Sequence, residues 1–109
     1  MRIERELMRG AGPLAVLRLL QSGEKYGYEL VQLLEQRSDG VLAMGQSTLY
    51  PMLYNLQAKE LIAARVAEVA GRPRKYYRLT EKGKRRLISQ QKQWRSLSAA
   101  MGRLGLLGE

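Results

Sequence analysis

The chain has 109 residues and a formal net charge of +9, and it contains neither Cys nor His. This composition excludes disulfide scaffolds, zinc fingers, thiol nucleophiles and imidazole acid–base chemistry. The acidic residues are scattered and form no paired-acid, nucleophile–base or phosphate-loop motif, so we expect no enzyme, no metal site and no cofactor. Because neither a signal-peptide core nor a run of about 18 apolar residues occurs, we expect a cytoplasmic protein without a membrane partner.

The positive charge is concentrated in the last third of the chain. Residues 1–71 contain eight basic and eight acidic side chains, whereas residues 72–109 contain eleven basic and two acidic ones. A polyanionic partner, such as a nucleic acid, is therefore expected to contact the C-terminal third.

Two helices are predicted in the first part of the chain. Pro13 suits the first position of a helix over residues 13–21, which follows a short amphipathic turn over residues 2–9. After a break at Ser22-Gly23, a second helical pattern opens at Tyr26 and ends at Asp39-Gly40.

A third helix is predicted over residues 48–59. Ser47 is a good N-cap for it, and Pro51 falls within the first turn, where proline is tolerated. Its buried stripe is formed by Leu49, Leu53 and Leu56.

The hydrophobic period then changes from helical to alternating. Residues 62–67 predict one strand, Gly71-Arg72-Pro73 a turn, and residues 75–79 a returning strand. The pattern therefore predicts a hairpin with a basic tip.

Thr80 is the predicted N-cap of a long final helix. An apolar stripe with a spacing of seven, interrupted at Gln90, follows that helix through Leu87, Trp94, Leu97, Met101 and Leu104. A second copy of the chain would bury this stripe across a two-fold axis. The alternative is that the helix folds back on the first helix and completes a monomeric core.

Three short helices followed by a hairpin form the winged helix plan. We therefore predict a mostly α fold with a small β-hairpin, a winged helix-turn-helix with a C-terminal dimerisation helix. Residues 1–80 would form the DNA-binding domain and residues 81–109 the dimerisation helix, within one structural unit.

Two surfaces of this plan suit double-stranded DNA. The third helix offers polar and exposed groups for phosphates and base edges, at Gln46, Ser47, Thr48, Tyr50, Pro51 and Asn55. The hairpin offers cations for a sugar-phosphate backbone, at Arg72, Arg74, Lys75 and Arg78. Each of three residues taken alone also has an ordinary structural explanation. Ser47 would only cap the helix, Tyr50 would pack its ring under the preceding loop, and Asn55 would be a solvated surface residue.

The basic residues also have alternative explanations. Charged hairpin tips protect sheet edges, although four cations within seven residues and no acid exceed that need. The next four cations begin the final helix and oppose its dipole; they either face DNA or form a solvated helix face. They are Lys82, Lys84, Arg85 and Arg86.

The chain resembles the PadR-like transcriptional regulators over roughly residues 8–95. The resemblance rests on four strings in order: YGYEL at residues 26–30, TLYPML at 48–53, LI at 61–62 and GRPRKYYRLT at 71–80. The short single terminal helix is similar to the smaller of the family's two size classes. The sequence departs from the family at Gln57-Ala58, where an acidic pair is frequent, and in the glycine-spaced tail over residues 102–108.

The resemblance implies a winged helix dimer that binds an inverted-repeat operator and represses transcription. In several relatives a Trp on the last helix lines an interface channel for flat aromatic compounds, and Trp94 occupies the comparable place here. Trp94 as a plain hydrophobic interface residue remains the alternative. For the whole chain, the alternative function is a non-specific nucleic-acid or RNA-binding module, which the same charge pattern allows.

Overall fold

The computed structural model describes residues 1–108 and arranges four helices around a three-stranded antiparallel sheet. The elements in chain order are α1 (Arg5–Leu20), β1 (Lys25–Tyr26), α2 (Gly27–Arg37), α3 (Gln46–Ala58), β2 (Ile62–Val69), β3 (Arg72–Leu79) and α4 (Glu81–Arg103). This order of three helices, a hairpin and a terminal helix confirms the predicted winged helix-turn-helix.

One aliphatic core holds the elements together. Leucines spaced three or four residues apart put one stripe of each helix inside, and the alternating residues of β2 and β3 cover that core from one side. The side chains that are almost completely buried are Val16, Leu17, Leu30, Leu49, Leu53, Leu61, Ile62 and Leu87.

The first helix is longer than predicted, because α1 begins at Arg5 and passes through Pro13. Proline in a helix interior costs about 3 kcal/mol, so packing must stabilise the turns before it. Gly12 is buried and packs against the end of the Met52 side chain of α3, where an added Cβ would lie 2.7 Å from Met52 Cε.

The second helix is preceded by a strand that the sequence pattern does not predict. Lys25 and Tyr26 pair with Tyr77 and Tyr76 of β3, and α2 then starts at Gly27. At its other end Asp39 and Gly40 both have positive φ, and the Gly40 N–H donates to the Glu35 carbonyl at 2.8 Å. This pattern closes the helix, as expected for Asp39-Gly40.

The third helix begins two residues earlier than predicted. Gly45 is its N-cap, and the Gly45 carbonyl accepts from the N–H groups of Thr48 and Leu49 at 3.1 and 3.0 Å. Ser47 therefore lies within the first turn and is not the cap. Its side chain is exposed, so its hydroxyl can bind a partner.

The hairpin turn is also displaced from its predicted position. Ala70 and Gly71 both have positive φ, which is the signature of a two-residue type I′ turn, whereas Arg72 and Pro73 already belong to β3. In such a hairpin the Glu68–Pro73 pair is a non-hydrogen-bonded one, so the nitrogen of Pro73 points away from β2. Because β1 ends short of this level, proline breaks no ladder bond there.

The final helix is capped as predicted. The Thr80 hydroxyl accepts from the Gly83 N–H at 2.9 Å and donates to the Glu60 carbonyl at 2.7 Å. At Gly83 a Cβ would lie 3.0 Å from the carbonyl carbon of Leu61, with the carbonyl oxygen nearer still. The first turns of α4 are therefore packed tightly onto the domain, and Gly105, with φ of 85°, ends the helix in a Schellman motif.

Candidate nucleic-acid interface

One face of α3 is open to solvent along its whole length. Leu49, Leu53 and Leu56 fix the buried side, so the helical period turns the intervening residues outward. All six residues predicted to contact DNA on this helix are exposed: Gln46, Ser47, Thr48, Tyr50, Pro51 and Asn55. They project from a helix whose backbone is held by the core.

Tyr54 lies near the middle of this open face and was not among the predicted site residues. Its side chain is 73% exposed, which is unusual for a large aromatic residue in a small domain. The signal was present in the sequence, because the leucine stripe puts residues 47, 51 and 54 on the opposite side of the helix. Its ring can therefore contact a partner that binds to the open face of α3.

Tyr50 occupies the edge of the open face and is 40% exposed. Its ring lies against Gly27 at the start of α2, where an added Cβ would come within 2.8 Å of Tyr50 Cζ. Gly27 is thus the residue that allows α3 to seat against α2 and β1. Tyr50 is thus partly packed, against Gly27, and partly exposed to solvent.

The hairpin of β2 and β3 is the wing of this fold. The cations predicted to bind DNA there lie on both of its faces, because side chains alternate along a strand. Arg72, Arg74 and Arg78 share the outer face of β3, whereas Lys75 lies on the opposite face, with its Nζ 5.7 Å from the centroid of the Tyr77 ring. Arg74 is half-buried and the other three are exposed. The cations therefore lie on both faces of the hairpin, with three arginines on the outer face and Lys75 on the other.

The outer face of the sheet holds a stack of arginines and tyrosines. The Arg74 guanidinium lies 4.1 Å from the centroid of the Tyr26 ring, which meets the Tyr76 ring edge-on at 5.8 Å. Arg65 covers Tyr76 from β2 at 5.0 Å. Because Tyr26 belongs to the unpredicted strand β1, this arrangement could not be found from the hairpin sequence alone.

Arg65 differs from the wing cations in having an acidic partner. Its Nε donates to Glu24 Oε2 at 2.9 Å, and its terminal nitrogen forms an ion pair with the other carboxylate oxygen. The hydrogen bond from Arg65 lowers the pKa of Glu24, and the same bond raises the pKa of Arg65. The pair fixes the arginine at the base of the stack and neutralises its charge.

The start of α2 links Tyr50 of α3 to Arg74 of β3 through two consecutive residues. Tyr50 packs against Gly27, while Arg74 covers Tyr26, the residue immediately before it.

The cations at the start of α4 are exposed, and one of them is paired. Lys84 Nζ lies 3.2 Å from Glu81 Oε1 one turn earlier. Within residues 1–108, Lys82, Arg85 and Arg86 take part in no ion pair.

The apolar stripe of α4 is exposed after its first member. Leu87 is 1% exposed and packs in the core of its own chain, so it does not belong to a surface that a partner could cover. Trp94, Leu97 and Leu104 are 51%, 50% and 76% exposed, and Met101 is 37% exposed. The part of α4 beyond Leu87 is thus an apolar helix face without a partner in the described chain.

Two further features, a metal cluster and a membrane-spanning helix, are not found in the part of the chain that the structure describes. Residues 1–108 contain no cluster of three or more potential metal ligands. Over the same residues, no helix combines the length and the apolar character that a bilayer crossing needs.

Comparison with known proteins identifies the family. The sequence profile of the Transcriptional regulator PadR-like family matches residues 16–89. The PadR family regulator of Eggerthella lenta is 35% identical in sequence and superposes with a TM-score of 0.80, over 91% of this chain and 85% of that one.

Two further solved structures are similar. A PadR-like regulator of Bacillus cereus is 28% identical, with a TM-score of 0.81 over 95% of this chain and 99% of that one. Bacillus subtilis PadR, solved in complex with operator DNA, is 27% identical, with a TM-score of 0.68 over 73% of this chain and 45% of that one.

The profile match runs from the end of α1 to the first turns of α4 and includes the third helix and the hairpin. Members of this family are transcription regulators and not enzymes. The chain therefore belongs to the PadR-like family of transcriptional regulators and has its DNA-binding winged helix fold.

Proposed function

We propose that the chain is a repressor that binds an inverted-repeat operator as a homodimer. The observation that supports this most directly is that exposed Tyr50 of α3 and Arg74 of the wing contact consecutive residues, Gly27 and Tyr26. With α3 in the major groove, that geometry brings the wing arginines to the flanking sugar-phosphate backbone.

The two surfaces have different tasks in this proposal. Short polar side chains such as Asn55 and Gln46 reach base edges and set the sequence preference, and the hydroxyls of Ser47 and Thr48 bind phosphate oxygens. Arg74 and its neighbours neutralise phosphates of any sequence, which makes the affinity depend steeply on salt.

The dimer in this proposal forms through the exposed stripe of α4. Trp94, Leu97 and Met101 lie on one helix face, which continues the face that Leu87 turns into the core. A two-fold partner helix would bury them, since leaving such a stripe in water forfeits about 1.5–3 kcal/mol for each large side chain. The axis would then repeat α3 at about one turn of duplex, or about 34 Å.

Repression follows from occupancy, because a dimer that spans two major grooves of a promoter excludes polymerase from it. A flat aromatic ligand between the two α4 helices, against Trp94, would relieve repression if it binds better to a dimer with a different α3 separation. Trp94 suits this role because half of its surface is exposed within the stripe.

The DNA-binding part is tested by selecting duplexes from a random pool with the wild-type chain. We expect an inverted repeat to be enriched, and Asn55→Ala and Gln46→Ala to alter the enriched bases. Replacing Arg72, Arg74 and Lys75 together by Gln should lower the affinity for all sequences and flatten the salt dependence. An unchanged salt slope in that triple variant would refute the wing assignment, and equal competition by unrelated duplexes would favour a non-specific module.

The dimer is tested by sedimentation velocity at micromolar concentration. The wild-type chain should sediment as a dimer, and Leu97→Asp should sediment as a monomer that retains its helical circular dichroism. A monomeric wild-type chain would contradict the proposal. For the ligand, planar aromatic acids and heterocycles are titrated against the fluorescence of Trp94, and no response from any of them would leave Trp94 as an interface residue only.

A further inference from the structure

A basic groove lies beside α3, between that helix and the N-terminal half of α1. It has a volume of about 670 Å³, and its lining includes Arg5 and Arg9 from α1 and Lys59 from the end of α3. No acidic side chain is among its lining residues. The groove therefore combines three cations in a concave surface next to the open face of the helix.

The groove and the wing lie on opposite flanks of α3. Thr48 and Asn55 line the groove, whereas Tyr50 contacts Gly27 on the flank of β1 and the wing. At 3.6 residues per turn, Thr48 and Tyr50 point about 160° apart around the helix axis. The exposed face, with Tyr54 near its middle, separates the two flanks.

The position of the cations is fixed by the packing of α1. Gly12 of α1 packs against the Met52 side chain of α3, and the helix continues without interruption from there back to Arg5. Arg5 and Arg9 are four residues apart and so lie on the same side of α1, one turn from each other. Neither they nor Lys59 take part in the ion pairs of residues 1–108, which are Arg65–Glu24 and Lys84–Glu81.

We propose that this groove is a second phosphate-binding site for duplex DNA, separate from the wing. The inference rests on the proposed insertion of α3 into the major groove. That groove is about 12 Å wide and a helix with its side chains is about 10–12 Å across, so both flanks of the helix meet a sugar-phosphate wall. The wing binds the phosphates of one strand. Arg5, Arg9 and Lys59 bind those of the other strand, and the hydroxyl of Thr48 donates to the same phosphates.

The test uses the full chain and an inverted-repeat duplex that the wild-type protein has selected from a random pool. The variants are Arg5→Gln/Arg9→Gln and, independently, Lys59→Gln. The matched control is Arg18→Gln/Arg37→Gln, which removes two exposed arginines from α1 and α2 away from this groove. Two quantities are measured for each: the slope of log affinity against log salt, and the phosphates at which ethylation interferes with binding.

We expect Arg5→Gln/Arg9→Gln to bind at least about tenfold more weakly and to reduce the slope by about 0.9 for every phosphate that the variant no longer neutralises. Ethylation interference should disappear at one set of phosphates in each half-site, and Lys59→Gln should weaken the same set. Arg72→Gln/Arg74→Gln should remove a different set, on the other strand. The control should keep the wild-type slope and pattern.

Three outcomes would overturn the proposal. An unchanged slope and interference pattern in Arg5→Gln/Arg9→Gln would show that the groove binds no phosphate, while the proposed function stands. An equal loss of affinity in the control would show that only total charge matters. Failure of the wild-type chain to bind any duplex would overturn the proposed function together with this inference.

Discussion

The guanidinium of Arg74 lies 4.1 Å from the centroid of the Tyr26 ring. This contact connects β3 of the hairpin to the short strand β1, which pairs with it. A planar guanidinium that stacks on a ring keeps the N–H groups along its edge free to bind phosphate. The contact therefore holds Arg74 in place without using its donors.

This relationship predicts that Tyr26 acts on DNA binding through Arg74. We expect Tyr26→Leu to weaken duplex binding about fivefold, since a cation–π contact of this kind is worth about 1 kcal/mol. Tyr26→Phe keeps the ring and should bind like the wild-type chain. The duplex affinities of Tyr26→Leu, Arg74→Gln and the double variant form a double-mutant cycle. The double variant should lose less binding free energy than the sum of the two single losses. Additive reductions would mean that Tyr26 does not position the arginine.

A second prediction concerns the close contact between α4 and the loop before β2. Gly83→Ala places a methyl group against the Leu61 carbonyl, which is backbone and cannot move aside as a side chain would. We expect the free energy of unfolding to fall by about 3 kcal/mol, within the upper range for overpacking. Urea unfolding at a fixed protein concentration measures this.

The control for that variant is Gly10→Ala, which also lies in a helix but meets no atom within 4 Å. It should stabilise the protein by about 0.5–1 kcal/mol, because alanine loses less backbone entropy than glycine in a helix. Equal stability of Gly83→Ala and the wild-type chain would mean that α4 does not pack on Leu61 as described.

A third prediction concerns alkaline pH. Burial raises the pKa of Tyr77, with a smaller contribution from nearby Tyr50. The folded chain thus keeps the phenolic proton at a pH where the unfolded chain, with a pKa of about 10, has begun to lose it. This contribution to stability is complete below that pH and is lost as pH rises through the folded-state pKa.

Tyr77→Phe has no phenolic proton, so its unfolding free energy should fall less between pH 9 and pH 11 than that of the wild-type chain. Urea denaturation at a series of pH values measures both curves, and their difference isolates Tyr77 from the lysines that titrate in the same range. Parallel curves would contradict the shift.

Sequence periodicity was sufficient for the parts of the fold that bury a regular stripe. The leucines of α3 and the alternation in β2 and β3 predicted those elements, and Thr80 predicted the start of α4. Strand β1 was missed because two residues are too few to show a period. The early start of α1 was missed because tertiary packing outweighed the local cost of Pro13.

The turn of the hairpin shows a similar limit. Ala70 adopts a positive φ that L side chains rarely take, so local propensity favoured the glycine and proline that follow it. Contacts between distant segments, such as Arg74 with Tyr26, could not be derived from strings that are 48 residues apart. The sequence thus predicted which elements form the interface, but not which residues hold them in register.

The last prediction assigns sequence preference to Tyr54. With α3 in the major groove, its exposed ring faces base edges and is suited to apolar contact with a thymine methyl group. Tyr54→Ala should therefore reduce discrimination at one base pair in each half-site by about tenfold, while the salt slope stays unchanged. Selection from a random duplex pool reads out this preference. Tyr28→Ala is the control, because Tyr28 is 51% exposed but lies on α2. If Tyr54→Ala selects the same bases with the same strength as the control, the ring does not contact DNA. The smaller polar residues of α3 would then determine the sequence preference alone.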